Sequence, residues 1–159
     1  MRVLVTGTTG MLGSAVVRDL KRFNLFYDVI ESGSSSERDL TDLDTARDFV
    51  STEKPDVVVH LAAVTSLNEC KKDPDKANTL HADLTKILAG SCKRMIYVST
   101  DSVFDGTTST PYGETSDANP INVYAKSKLV GEAAAINNNK NSVIIRTNIF
   151  GCKPGMLAD

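Results

Sequence analysis

Five short runs of β-branched and other apolar residues recur along the chain, at 2–6, 27–30, 57–61, 95–99 and 143–146. Val57-Val58-Val59 and Met95-Ile96-Tyr97-Val98 are apolar at successive positions, which predicts interior strands covered on both faces. Between the runs, 11–22, 43–52, 75–89 and 123–136 carry apolar residues at helical spacing. Strands that alternate with helices build a parallel sheet wound on both faces. The expectation is therefore an α/β chain, doubly wound, with a single domain over 1–159. The connection 107–119 is rich in Thr, Ser, Pro, Gly and Asp; at that length it is either mobile or functional. A polar turn of Asn and Lys is expected at 137–141, and neither a repeat nor an interdomain linker is visible.

At 159 residues such a chain buries a core without disulfide or metal staples. Its 18 Lys and Arg against 20 Asp and Glu leave a formal charge of −2. A field of that sign holds neither nucleic acid nor an anionic membrane, so any phosphate binding must come from local geometry. Cys70, Cys92 and Cys152 show no CxxC or Cys/His ligand spacing, which suits reduced thiols and gives no reason to expect a metal site. Met1-Arg2-Val3-Leu4-Val5 enters the first strand directly, without a signal-like apolar stretch. With no candidate membrane span, a cytoplasmic, soluble protein is expected.

The first strand runs into Thr6-Gly7-Thr8-Thr9-Gly10-Met11-Leu12-Gly13, and a helix starts at once. Glycines in a strand-to-helix turn permit tight backbone angles and let a pyrophosphate approach amides that a Cβ would shield, while the helix N-terminus adds unpaired N–H groups and positive dipole. Gly7, Gly10, Met11, Leu12 and Gly13 are accordingly candidate dinucleotide contacts. An acid about twenty residues further on commonly accepts from the ribose 2′-OH of NAD, and Glu31 stands there. Ser32, Ser34, Ser35, Ser36 and Arg38 follow, and hydroxyls with a guanidinium suit the 2′-phosphate of NADP instead. The sequence leaves NAD or NADP open.

The fourth strand ends in Ser99-Thr100-Asp101, at the carboxyl edge where open α/β sheets place their ligands. Downstream, Asn122-Val123-Tyr124-Ala125-Lys126-Ser127-Lys128 opens a helix and sets Tyr124 and Lys128 one turn apart on one face. A free phenol titrates near ~10, so Tyr124 needs a neighbouring cation to work as an acid–base group at neutral pH, and Lys128 is the candidate. Tyr124 would then protonate a carbonyl oxygen as hydride reaches its carbon. Thr100 would hydrogen-bond the same oxygen.

The Gly-x-x-Gly-x-x-Gly turn and the Tyr-x-x-x-Lys pair resemble those of the extended short-chain dehydrogenases/reductases. Ser99-Thr100-Asp101-Ser102-Val103-Phe104-Asp105-Gly106 and the stretch from Asn119 to Glu132 resemble the dTDP-4-dehydrorhamnose reductase group in particular. Pro55-Asp56-Val57-Val58-Val59-His60-Leu61-Ala62-Ala63-Val64-Thr65 extends the likeness, which spans most of the chain. It implies a Rossmann-type fold and NAD(P)H-dependent reduction of a 4-keto group on a nucleotide-linked deoxysugar. It also implies that Asp39 and Leu40 flank the adenine, that Ala62, Ala63, Val64 and Thr65 line the cofactor and that Asp101 lies by the sugar with Thr100, and it allows a homodimer. Sugar-nucleotide 4,6-dehydratases carry Thr-Asp-Glu where Thr100-Asp101-Ser102 stands here, and a hydroxyl cannot replace their carboxylate base. Epimerases share the Tyr/Lys pair and remain an alternative. So does a non-catalytic regulatory module, since the regulatory subunit of methionine adenosyltransferase resembles the same reductases.

Two departures from the family pattern stand out. His81 occupies a helix position where the family usually has Asn; it is expected to be a partly buried helix residue, and His60 a structural one. The family also continues into a further strand and a substrate-binding domain beyond Gly155-Met156-Leu157-Ala158-Asp159. The chain is therefore read as a shortened form that binds cofactor but turns over poorly.

Overall fold

In the computed structural model, residues 1–22 and 26–150 are described; the expectations placed on Cys152 and on 155–159 lie outside them. Five parallel strands form one sheet: β1 (Arg2–Thr6), β2 (Asp28–Glu31), β3 (Val57–His60), β4 (Arg94–Ser99) and β5 (Val143–Arg146). Their order is β2-β1-β3-β4-β5, so the two apolar runs at 57–59 and 95–98 are interior strands. Val5 pairs with Val59, Val59 with Ile96, and Val98 with Ile145, a register that brings every carboxyl end to one edge. The order reverses between β1 and β3, the switch point that opens a crevice in such sheets.

Side-chain alternation divides the core in two. On one face Leu4, Val58, Met95 and Tyr97 pack with residues of α2 (Leu43–Glu53) and α5 (Leu84–Gly90) and with Ala135 of α6 (Val123–Asn138). On the other, Val3, Val5, Val57 and Val59 pack with Val16, Val17 and Leu20 of α1 (Met11–Arg22). Both faces are covered, as a doubly wound sheet requires.

Local chemistry sets the helix boundaries. The Asp42 carboxylate accepts from the amides of Asp44 and Thr45 at the start of α2, satisfying donors that a helix N-terminus leaves free. Lys54 ends α2 in a left-handed conformation, φ 46°. Asn122 accepts from the Ala125 amide at 2.8 Å and starts α6 two residues before Tyr124.

The segment expected as one helix at 75–89 is instead three pieces: α4 (Pro74–Asn78), a π-helical turn (Thr79–Asp83) and α5. Asp73 caps α4 through the Lys76 amide, with Pro74 in its first turn. A further helix, α3 (Leu67–Lys72), precedes it. Helix α6 runs on to Asn138, so the expected polar turn is shorter. Its Asn139 amide reaches across to the carbonyls of Ala89 and Cys92.

The long connection after β4 has a defined shape. The Asp105 carboxylate accepts from Tyr112 Oη at 2.7 Å, Asn119 Nδ2 at 2.8 Å and both Thr107 donors, and these bonds hold its pKa well below the usual carboxylate range. Tyr112 stacks on Phe104 with ring centres 4.3 Å apart.

Candidate active site at the carboxyl edge of the sheet

The glycine turn after β1 is built for close approach. Gly7 has φ +71°, and a Cβ on it would meet the Ala62 amide nitrogen at 2.7 Å. A Cβ on Gly13 would meet the Gly7 carbonyl oxygen at 2.1 Å. The absence of side chains thus lets α1 start against the loop that leaves β3 and close on the turn itself.

That turn forms one wall of a cavity of about 1130 Å³. Gly7, Gly10, Met11, Leu12 and Gly13 line it, as do Asp39, Leu40, Ala62, Ala63, Val64, Thr65, Thr100, Asp101, Tyr124 and Lys128. One sequence-chosen residue stands apart. Glu31 does not line the cavity; its carboxylate accepts from Lys21 Nζ at 2.6 Å, a surface ion pair beside α1. Ser32, Ser35, Ser36 and Arg38 line the cavity where Glu31 does not. Arg38 donates to the Ser32 carbonyl at 2.8 Å and lies 3.7 Å from the Phe49 ring centre, so its guanidinium is fixed at the rim. Asp39 accepts from the amide and hydroxyl of Thr41, bonds that lower its pKa.

At the far end of the cavity, Thr100 donates to Asp101 Oδ1 at 3.2 Å and accepts from the Ser102 amide. Tyr124 is half-buried, and burial pushes its phenol above the ordinary value, with the Thr100 hydroxyl easing the shift. The sequence expectation that Lys128 lowers the Tyr124 pKa is therefore corrected. Lys128 is 3 % exposed and donates to the Val98 carbonyl at 2.7 Å, with its Nζ 4.1 Å from the Tyr97 ring centre. Desolvation brings its own pKa down to about 7, which weakens the positive field it offers near neutrality.

A buried ionic cluster braces this corner. Glu132 is 4 % exposed, accepts from Ser99 Oγ at 2.5 Å and holds Arg146 through both carboxylate oxygens. It joins the ends of β4 and β5 to α6, the helix that carries Tyr124.

Sequence reasoning passed over several lining residues: Leu67, Glu69, Lys76, Asn122, Thr147, Asn148 and Ile149. The last three follow β5, so the carboxyl-edge rule could have found them. Ser66 and Glu69 form the start of a capping box, with Ser66 Oγ accepting from the Glu69 amide, and could have revealed α3. His60 is buried behind the cavity: its Nδ1 lies 2.6 Å from Thr6 Oγ1, its Nε2 3.3 Å from the Leu80 carbonyl, and burial lowers its pKa to about 3. A second hollow, of about 460 Å³ and lined by Lys93, Arg94 and Lys140, lies at the amino edge of the sheet. Among the described residues no group of three or more His, Cys, Asp or Glu is disposed to hold a metal, and no helix is long and apolar enough to cross a membrane.

Comparison with known proteins gives a consistent family. The model of the RmlD substrate binding domain matches residues 1–155. Methionine adenosyltransferase 2 subunit beta of Xenopus tropicalis is 37 % identical over 94 % of this chain and 47 % of its own length. The dTDP-4-dehydrorhamnose reductase of Burkholderia thailandensis is 35 % identical over 92 % and 49 %. The chain thus spans about half the length of the curated relatives it matches. Among solved structures, a dTDP-4-dehydrorhamnose reductase of Clostridium acetobutylicum superposes with a TM-score of 0.85 at 33 % identity, over 93 % of this chain and 53 % of that one. The reductase of Bacillus anthracis, in complex with NADP, superposes at 0.82 and 28 %, over 92 % and 53 %.

Proposed function

Because the chain belongs to the RmlD substrate binding domain family, we propose that it is the dinucleotide-binding part of an NADPH-dependent reductase that acts on the 4-keto carbon of a nucleotide-linked 6-deoxysugar. The observation that carries the reading is a single cavity that has the glycine turn at one end and Thr100, Tyr124 and Lys128 at the other. The dTDP-4-dehydrorhamnose reductases among the relatives support the substrate class.

The turn at Gly7 to Gly13 fits a diphosphate, because it lines the cavity at the positive end of α1. Ser32, Ser35, Ser36 and Arg38 would hold the adenosine end. Hydroxyls and a fixed guanidinium suit a 2′-phosphate, and Glu31, the residue that would favour a free ribose hydroxyl, is engaged by Lys21. We therefore favour NADP over NAD. When bound, the dihydronicotinamide supplies the hydride.

The protein's own work is to place the carbonyl and supply a proton. Thr100 donates a hydrogen bond to the keto oxygen and fixes its direction. Tyr124 transfers its phenolic proton to that oxygen as the carbon accepts hydride, leaving an alcohol and a phenolate. A phenol held above its ordinary pKa stays protonated at neutral pH, which is the form a reductive proton donor needs. Lys128, which lines the same cavity, would hydrogen-bond the ribose hydroxyls of the bound dinucleotide.

The test is turnover of 4-keto sugar nucleotides by the intact protein with NADPH or NADH. Wild-type activity that Tyr124→Phe abolishes, with NADPH affinity retained, supports the reading. Full activity in Tyr124→Phe ends it. A second reading, a dinucleotide-binding regulatory module, is favoured by the 37 % identity to methionine adenosyltransferase 2 subunit beta. It predicts tight NADPH binding with no 4-keto sugar nucleotide consumed.

A further inference from the structure

We propose that His81 is a positioning residue: its imidazole ties the cavity loop at Val64 to the helix that carries Tyr124, without itself lining the cavity. His81 is fully buried in the π-helical turn, where only partial burial was expected of it. Both ring nitrogens are engaged by residues distant in sequence. Nε2 accepts from the Val64 amide at 3.0 Å, and Nδ1 lies 2.8 Å from Ser127 Oγ. Ser127 Oγ in turn donates to the Tyr124 carbonyl at 2.8 Å.

These contacts fix every proton. An Nε2 that accepts from an amide carries no hydrogen, so the neutral ring bears its proton on Nδ1 and donates to Ser127. Ser127 has its own proton committed to Tyr124 and therefore accepts. The chain runs in one direction, from the Val64 amide through the imidazole and the hydroxyl to the backbone of Tyr124. Protonating His81 would turn its Nε2 acceptor into a donor facing another donor. Burial, reinforced by Lys128, keeps that from happening, with the pKa at about 3; the other titratable groups about it are His60, itself buried with a pKa of about 3, and the phenols of Tyr97 and Tyr124, all neutral from about pH 5 to 8.

The backbone of His81 is gripped as firmly as its ring. Its carbonyl accepts from Thr85 Oγ1 at 2.7 Å and from Tyr97 Oη at 3.1 Å. Helix α6 presses on the same carbonyl, where a Cβ on Gly131 would stand 2.1 Å away. The Tyr124 ring meets the imidazole edge to face, with centres 5.8 Å apart at 82°. A side chain held at so many points is a fixed spacer between the cavity loop and the phenol.

The kinetic arm of the test rests on the reductase reading; the structural arm does not. In Asn the amide group reaches the place of Nδ1, and in Gln that of Nε2. His81→Asn can therefore keep the link to Ser127, His81→Gln the link to Val64, and His81→Leu neither. In the intact protein His81→Leu is expected to lower kcat by about 100-fold, the cost of a misplacement on the order of 1 Å, while the NADPH Kd stays within about threefold. The two amide variants should each recover part of the loss. A His81→Leu enzyme with wild-type kcat overturns the proposal, as does a parallel fall of kcat, NADPH affinity and Tm in all three variants.

Independently, ring 15N spectra from about pH 5 to 8 should show His81 neutral, protonated on Nδ1 and not titrating. Exchange of the Val64 amide should accelerate in His81→Leu. A His81 ring that titrates in this range or carries its proton on Nε2 overturns the link whatever the enzyme does. Absence of turnover in the wild type fails only the reductase reading.

Discussion

Lys128 sits over Tyr97, its ammonium nitrogen 4.1 Å from the ring centre and 2.7 Å from the Val98 carbonyl that it faces. The cation is thus buried against β4, the strand beneath the cavity, with one strong acceptor and one aromatic face in place of water.

This burial has a pH signature. Unfolded Lys128 holds its proton up to about 10.4, whereas the folded protein releases it at about 7. Between those values the unfolded state binds more protons, so stability should rise with pH by up to about 1.4 kcal/mol per unit. Below about 7 both states are protonated and this contribution is flat. Urea unfolding of the wild type and Lys128→Met at pH 7 and at about pH 9.5 should show the rise only in the wild type. Equal pH slopes would refute the burial effect.

Thr100 faces the same cavity as Tyr124 and is assigned to the keto oxygen. Thr100→Val should lower kcat by about 100-fold, as loss of a transition-state donor does elsewhere. The NADPH Kd should be unchanged, because no phosphate contact is touched. Steady-state kinetics with a separate binding titration check both halves.

Arg38→Ala should discriminate between the two nicotinamide cofactors. Loss of a charge-assisted contact to a 2′-phosphate corresponds to about a tenfold to hundredfold weaker NADPH Kd, with NADH affinity little altered. If NADH and NADPH weaken together, Arg38 supports the wall through Ser32 and Phe49 and does not read the phosphate.

Gly131→Ala should be severely destabilising. The added methyl would meet the His81 carbonyl at 2.1 Å and Tyr97 Oη at 2.2 Å. Overpacking at a backbone contact of this kind costs about 3 kcal/mol, readable as a drop in Tm. Gly90→Ala, where a Cβ meets nothing within 4 Å, is the control.

The sheet was legible because its interior strands are unbroken apolar runs, and the glycine turn because only that residue type tolerates such approaches. Glu31 was misplaced for a reason spacing cannot encode. Counting from the glycines finds the end of β2 but not the face its last side chain takes. Val29 packs with α1 and Ile30 with the opposite core, so alternation sends Glu31 back toward α1 and Lys21. The four-residue spacing put Tyr124 and Lys128 on one side of α6 but could not show that Val98 captures the ammonium. His81 left no local sign of its role, since its partners lie 17 and 46 positions away. The π-helical turn that presents it has no sequence signature of its own.

Five stretches of the cavity wall hang from different strand ends, with 7–13 after β1, 32–41 after β2, 61–65 after β3, 98–102 at β4 and 147–149 after β5, while α6 supplies Tyr124 and Lys128. Such separate anchoring makes the walls exchangeable one at a time. Mutational drift in the segment after β2 can retune which adenosine it welcomes while the hydroxyl and phenol beyond β4 stay put. A lineage built on this scaffold can give up chemistry and keep dinucleotide capture by altering one short stretch of chain.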